Sequence, residues 1–215
     1  MRTTEQWRAR LLAKERCQLL VIDKQRWYLD PAVSPFLTDA DDDTVRREVD
    51  AHDRFIESAR SVGVPVAWTR MTEGDDHAPA NVLARWERRP DDPRLHREDD
   101  GFDFVGIGPQ HDELVIEKSY PDAFSEPLLH DHLRAAGRST IVLVGSYAGR
   151  CVLATAFAAQ TRGFDVVVPR GLAEPHPRQE HEEQVFLAII DTVVGYALEP
   201  DEILREWTGT AAGRR

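Results

Sequence analysis

STIVLVGSYAGRCVLATAFAAQTRGFDVVVP, residues 139–169, reads as a complete strand–helix–strand unit. STIVLVG (139–145) has the length, apolar continuity and β-branched content of a strand buried on both sides. Gly149 to Arg162 is alanine-rich, which favours helix, and Gly163 supplies a residue that ends one. FDVVVP (164–169) repeats the strand pattern and stops at a proline. Two strands joined through such a helix lie parallel, because a parallel neighbour is reached only by a crossover, and the crossover is right-handed.

Outward from this unit the same alternation continues. QLLVID (18–23), PVAWTR (65–70) and ELVIEK (113–118) predict three earlier strands, and TVVGYAL (192–198) predicts a sixth. Helices are predicted over Thr4 to Arg16, over Thr44 to Val62 ending at Gly63, over Ala123 to Ala136 ending at Gly137, and over Arg178 to Ile190. Asp43 is placed to cap the second of these, and Asp201 to cap a last short helix. The pattern predicts an α/β fold. It is a three-layer α/β/α sandwich, Rossmann-like, around a six-stranded parallel sheet, in a single domain over residues 1–215. WYLDPAVSPFLTDADDD (27–43) reads as a loop. Residues 71–112 are polar and rich in Asp, Arg and Pro, with a short helical piece near Val82 to Trp86. A connection this long is usually functional, as a lid or as a part completing a neighbour's site. TGTAAGRR (208–215) reads as a frayed tail.

The net charge of −11 argues against nucleic acid or an anionic membrane as partner, since phosphate binding needs clustered Lys and Arg. No run approaches the roughly 20 apolar residues of a membrane helix. The start, MRTTEQWRARLLAKER, has no apolar core of signal-peptide length. Cys17 and Cys151 are too few for a disulfide scaffold. These features predict a cytoplasmic protein, in which a cysteine is catalytic or simply buried.

Ligands of parallel α/β sheets bind beyond the carboxyl ends of the strands. Three reactive side chains fall there: Asp23 after the first strand, Lys118 closing the third, and Cys151 just past the fourth, at a helix start. Each alone has an ordinary structural explanation as a cap, a solvated lysine or a small buried residue. Together they make a base, a cation and a nucleophile. A helix N-terminus lowers a thiol pKa by favouring the thiolate, and a neighbouring ammonium adds to this. Asp23 can take the thiol proton and return it to a leaving amine. Backbone N–H groups of the turn before Cys151 can hold an oxyanion.

At these residues the chain resembles the isochorismatase-like superfamily. LLVIDKQRWYLDP is similar to that family's opening motif. EKSYPDAFSEPLLHDHLRAAG resembles its lysine segment, and LVGSYAGRCVLATAFAAQTRGFDVVV its nucleophile segment. The similarity runs from about Cys17 to Trp207. It implies a six-stranded parallel sheet, with Asp23 as general base, Lys118 as its electrostatic partner and Cys151 as nucleophile. It also implies a cis peptide between Ser146 and Tyr147, and an oxyanion hole formed by the N–H groups of Tyr147 and Cys151. A dimer or tetramer is expected from the resemblance.

Departures from the family pattern bear on the substrate. Lys24 stands where Met is usual, Ala148 where many amidases carry Thr, and PRGLAE lacks the usual Asp-Ala. DKQRWYL and Tyr147-Ala148 resemble the isochorismatases of siderophore and phenazine pathways, which hydrolyse a vinyl ether and carry Gly at the nucleophile position. Cys151 here favours covalent attack on a carbonyl, hence hydrolysis of a small amide or carbamoyl compound. Vinyl ether hydrolysis with Asp23 as acid is the alternative.

Trp27, Tyr28 and Phe124 are candidates to wall a planar substrate, with core packing an equal alternative for Phe124. Arg150 is a candidate for binding a substrate carboxylate. Gln25 either orients the Asp23 loop or contacts substrate, and Cys17 is expected to be inert. Nicotinamidases of the superfamily carry Asp-x-His-x-x-x-His after the second strand. Here TRMTEGDDHAPANVL keeps His77 without its partner, so His77 reads as a loop residue. His176 and His181 read as a solvated start of a helix rather than metal ligands. No metal and no cofactor are expected. A binding module without chemistry would leave Cys151 an ordinary thiol. A dinucleotide-binding oxidoreductase lacks its motif, since DKQRWY stands where Gly-x-Gly-x-x-Gly is required.

Overall fold

The computed structural model describes residues 3–72, 79–88, 99–177, 179 and 181–209. Six strands lie parallel: β1 (Cys17–Ile22), β2 (Val66–Met71), β3 (Leu114–Lys118), β4 (Thr140–Ser146), β5 (Asp165–Pro169) and β7 (Tyr196–Leu198). Their order is β3-β2-β1-β4-β5-β7, and a two-residue strand, β6 (Ala173–Glu174), pairs with the end of β4. This is the expected six-stranded sheet with one short addition.

Around the sheet lie α1 (Thr4–Leu11), α2 (Arg26–Leu29), α3 (Asp42–Ser61), α4 (Ala80–Trp86), α5 (Pro127–Ala135), α6 (Leu153–Thr161), α7 (Glu182–Ile189) and α8 (Pro200–Thr208). Period-2 alternation in the strands divides the core. Leu20, Ile22, Ile141, Leu143, Val166 and Val168 pack on one face with α5, α6 and α7. Leu19, Val21, Val142, Val144 and Val167 pack on the other with α1, α3 and α8. Burial on both faces explains why these strands read as continuous apolar runs.

Several boundaries differ from expectation, each for a local reason. In TVVGYAL only Tyr196–Leu198 is strand. Residues 190–194 continue α7 as a π-helical turn that exposes Val193 and buries Val194. Proline splits the helix expected over 123–136: Glu126 before Pro127 is extended, so a 3-10 turn at 123–125 precedes α5. The stretch expected as a loop over 27–43 overlaps α2 at its start and α3 at its end. The cap of α3 is Asp41, whose carboxylate accepts the Thr44 N–H at 3.0 Å, while Asp43 lies inside the first turn. Glu199, not Asp201, caps α8 through a reciprocal pair with Glu202.

The strand order reverses direction between β1 and β4, which places a crevice beyond their carboxyl ends. Ile22 and Gly145 are the last paired residues there. Gly145 has φ +120, and a Cβ on it would sit 2.0 Å from the Ile22 carbonyl oxygen. Only glycine lets β4 lie this close to β1.

Candidate active site

Asp23 leaves β1 with φ +48, a left-handed conformation that Asp tolerates better than most residues. The bend turns its carboxylate into the protein, where it is fully buried. Oδ2 accepts a hydrogen bond from Lys118 Nζ at 2.6 Å, and neither side chain has solvent exposure. Oδ1 accepts one from the Thr69 hydroxyl, also at 2.6 Å. That hydroxyl in turn accepts the Asp23 N–H at 3.1 Å. Lys118 Nζ makes a further bond to the Tyr120 carbonyl at 3.2 Å. An ion pair this deeply buried holds only when its remaining hydrogen-bonding capacity is also met, and Thr69 and Tyr120 meet it.

Beside β1, β4 delivers Ser146 and then a π-helical turn, Ala148–Val152, that carries Cys151. The Ser146–Tyr147 peptide bond is cis. The Tyr147 carbonyl accepts the Arg150 N–H at 3.0 Å and the Val152 N–H at 3.3 Å, which closes the turn. π-turns of this kind recur at functional sites. Cys151 is 8% exposed and shares a core cluster with Ile22, Trp27, Tyr28 and Tyr147. The structure thus joins Asp23 and Lys118 directly and sets the Cys151 turn on the neighbouring strand.

The aromatic residues separate into two groups. Tyr28 and Tyr147 meet edge to face with centroids 5.4 Å apart, and the Tyr147 hydroxyl donates to the Tyr28 carbonyl at 2.9 Å. Phe36 packs against Trp27, Tyr147 and His176, and the His176 ring lies 4.9 Å from that of Tyr147. Burial pushes the Tyr147 phenol above its ordinary pKa. Phe124 is buried in the same core cluster, as its core-packing alternative expects. Its ring packs on Phe164, at the entrance to β5, under the Arg162 guanidinium 5.0 Å away. The Arg150 guanidinium stands 5.8 Å from the Tyr147 ring and makes no ion pair among the described residues.

Gln25 takes the loop-orienting role. Its amide donates to the carbonyls of Met71 and Phe102 at 3.1 and 3.0 Å and accepts the Met71 N–H at 2.8 Å. Both of its donors are spent on backbone.

Lys24, the unusual residue after Asp23, is fully buried on the other face of the sheet. Its Nζ pairs with Asp53 Oδ1 at 2.6 Å and bonds the carbonyls of Val105 and Ile107. Desolvation lowers its pKa, and Asp53 opposes that. With the Gln25–Phe104 bridge and the Val105 N–H to Lys24 carbonyl bond, this pair straps residues 103–107 across the base of the Asp23 loop.

Sequence reading missed Thr69 and Phe36. Thr69 was detectable as a polar residue inside a buried apolar strand, and Phe36 carried no comparable signal. His176 is buried, at 6% exposure, which corrects its reading as solvated; His181, just before α7, is exposed. His77 lies outside the described residues. Among the described residues no three His, Cys, Asp or Glu side chains gather as a metal site, and no helix is long and apolar enough to cross a membrane.

The family model "Isochorismatase domain" matches residues 17–187. A maleamate amidohydrolase of Pseudomonas putida is 34% identical over 80 residues, covering 37% of this chain and 38% of the relative. A secreted isochorismatase effector of Verticillium dahliae is 38% identical over 65 residues, covering 30% and 34%. An N-carbamoylsarcosine amidase of an Arthrobacter species is 31% identical over 125 residues, covering 54% and 46%. Each of these matches spans less than half of the relative's own length. In fold, the chain is similar to a cysteine hydrolase from Pseudomonas syringae pv. phaseolicola, with TM-score 0.76 and 19% identity over 92% of this chain and 95% of that one.

Proposed function

The chain belongs to the isochorismatase family, and from that premise we propose that it is a cysteine hydrolase cleaving a C–N bond of a small amide or carbamoyl compound. One observation carries the reading: a sealed Asp23–Lys118 pair at the same sheet edge as a cysteine-bearing turn. Two relatives whose names specify amide substrates support it.

In the proposed reaction Asp23 takes the proton of Cys151, and the Cys151 sulfur attacks the carbonyl carbon. The N–H groups of Tyr147 and Cys151 hold the oxyanion. Collapse breaks the C–N bond, Asp23 gives its proton to the departing amine, and a thioester remains. Asp23 then takes a proton from water, which attacks the thioester. Release of the acid returns the proton to the thiol. Net, one amide and one water give one acid and one amine. Lys118 and Thr69 hold the Asp23 carboxylate throughout, each leaving its oxygen a further lone pair. Trp27, Tyr28, Tyr147, Phe36 and His176 wall a planar substrate, and Arg150 binds a carboxylate on it. The same proposal includes a cytoplasmic protein that assembles as a dimer or tetramer.

A second reading rests on the Tyr147-Ala148 segment and the isochorismatase relative. Here Asp23 protonates a vinyl ether and Cys151 is a bystander. Turnover of maleamate and of isochorismate by wild type, Cys151→Ala and Asp23→Asn separates the two. Amide hydrolysis lost in both variants is the expected result. Full amide turnover by Cys151→Ala would sink the covalent scheme, and isochorismate turnover that survives Cys151→Ala but not Asp23→Asn would establish the second reading.

A further inference from the structure

We infer that Glu182 is a positioning residue for Cys151, one carboxylate that ties the nucleophile turn to the segment bearing the aromatic wall. Glu182 opens α7. Its Oε1 accepts the Gly149 N–H at 2.9 Å and its Oε2 accepts the His176 N–H at 2.5 Å. Gly149 lies two residues before Cys151, inside the π-helical turn. His176 follows β6, and its ring packs on Tyr147 and Phe36.

A carboxylate accepting one backbone N–H on each oxygen makes two charge-assisted bonds and fixes the spacing of the two segments. The turn's bonds from Arg150 and Val152 to the Tyr147 carbonyl are internal to it. They set its shape but not its place in the molecule. Glu182 holds it from outside, and α7 lies against it. Gly149 is the residue this contact requires: a Cβ there would stand 2.3 Å from Glu182 Oε1. A side chain at 149 and the clamp therefore exclude each other.

Charge and position work in opposite senses here. The Glu182 charge by itself disfavours a thiolate nearby, whereas holding Cys151 against the N–H groups of its turn favours one. Asp at 182 keeps the charge but is one methylene short of bridging both amides. Gln keeps the length and one acceptor oxygen. The inference rests on Cys151 as nucleophile, yet its test needs no substrate.

In Cys17→Ser protein, amide hydrogen exchange at Gly149 and His176 and the pH dependence of Cys151 alkylation by iodoacetamide are compared with those of its Glu182→Asp and Glu182→Gln versions. In Glu182→Asp, exchange at both amides should quicken while exchange in β4 stays slow. Its thiol pKa should rise, so that thiolate at pH 7 falls about tenfold, and Glu182→Gln should lose less. An unchanged or lowered thiol pKa in Glu182→Asp, or unchanged exchange at the two amides, overturns the inference. If Cys151→Ala retains amide hydrolysis, the nucleophile reading falls on its own, and the exchange and titration results still decide the clamp.

Discussion

Asp23 is the residue on which the proposed site turns. Its left-handed backbone, its hydroxyl partner Thr69 and its ammonium partner Lys118 all serve one carboxylate with no exposure to water. Removing one member of such a pair leaves a buried charge uncompensated, which costs about 3 kcal/mol or more. Lys118→Ala is therefore expected to lower stability by that amount in chemical denaturation. The double variant Lys118→Ala/Asp23→Asn should recover most of it while remaining inactive, because a neutral amide does not need the ammonium. A double variant as unstable as Lys118→Ala would show that Lys118 supports the fold through other contacts. Asp23, Lys118 and Cys151 were legible in the sequence because strand ends are legible and reactive side chains there are few. Thr69 was half legible, as a hydroxyl in a run otherwise apolar. For Gln25 and Phe124 residue type left two roles open, and the structure shows the Gln25 amide bonded to backbone and the Phe124 ring packed on Phe164.

At the level of the elements, the strap over residues 103–107 accounts for Lys24. Methionine at this position would fill the space but leave Asp53 facing only the Ile107 N–H. Lys24→Met is expected to cost about 2 kcal/mol, the range for an abandoned buried partner, and to speed amide exchange across 103–107. Adding Asp53→Leu should restore stability, since an apolar pair can replace a buried ion pair. Exchange in the strap that is unaffected by Lys24→Met would remove the pair from that role. Boundary differences have the same local character. Pro127 was visible, and its effect on Glu126 could be read from chemistry alone. The π-helical turn at 190–194 could not, because Val193 and Val194 suit strand and helix alike until packing buries one and exposes the other.

Across the whole molecule, His52 connects α3 to the sheet edge. It is completely buried, its Nε2 lies 3.1 Å from the Leu172 carbonyl and 3.4 Å from Glu174 Oε1, and burial lowers its pKa from 6.5 to about 4. Burial, with Glu48 and Glu183 nearby, pushes the Glu174 carboxyl well up. Near pH 6 the imidazole is therefore neutral. A depressed folded pKa contributes stability that is present above the unfolded value and lost as pH falls. For His52 that window runs from 6.5 down to about 4, and the loss is roughly 3 kcal/mol. Denaturation midpoints from pH 7 to pH 4 should fall more steeply for wild type than for His52→Gln, and equal slopes would assign the acid loss to other groups. Alternation of strand and helix, the two-faced burial of the sheet and the placing of three reactive residues at strand exits were determined by the sequence itself. Each depends on spacing along the chain and on the rule that parallel sheets bind ligands at one end. Which side chains meet those residues was decided only in three dimensions. Thr69 and Glu182 lie 46 and 33 residues from the groups they bond. Contacts at such separations follow from how helices and loops pack, and no periodicity records that.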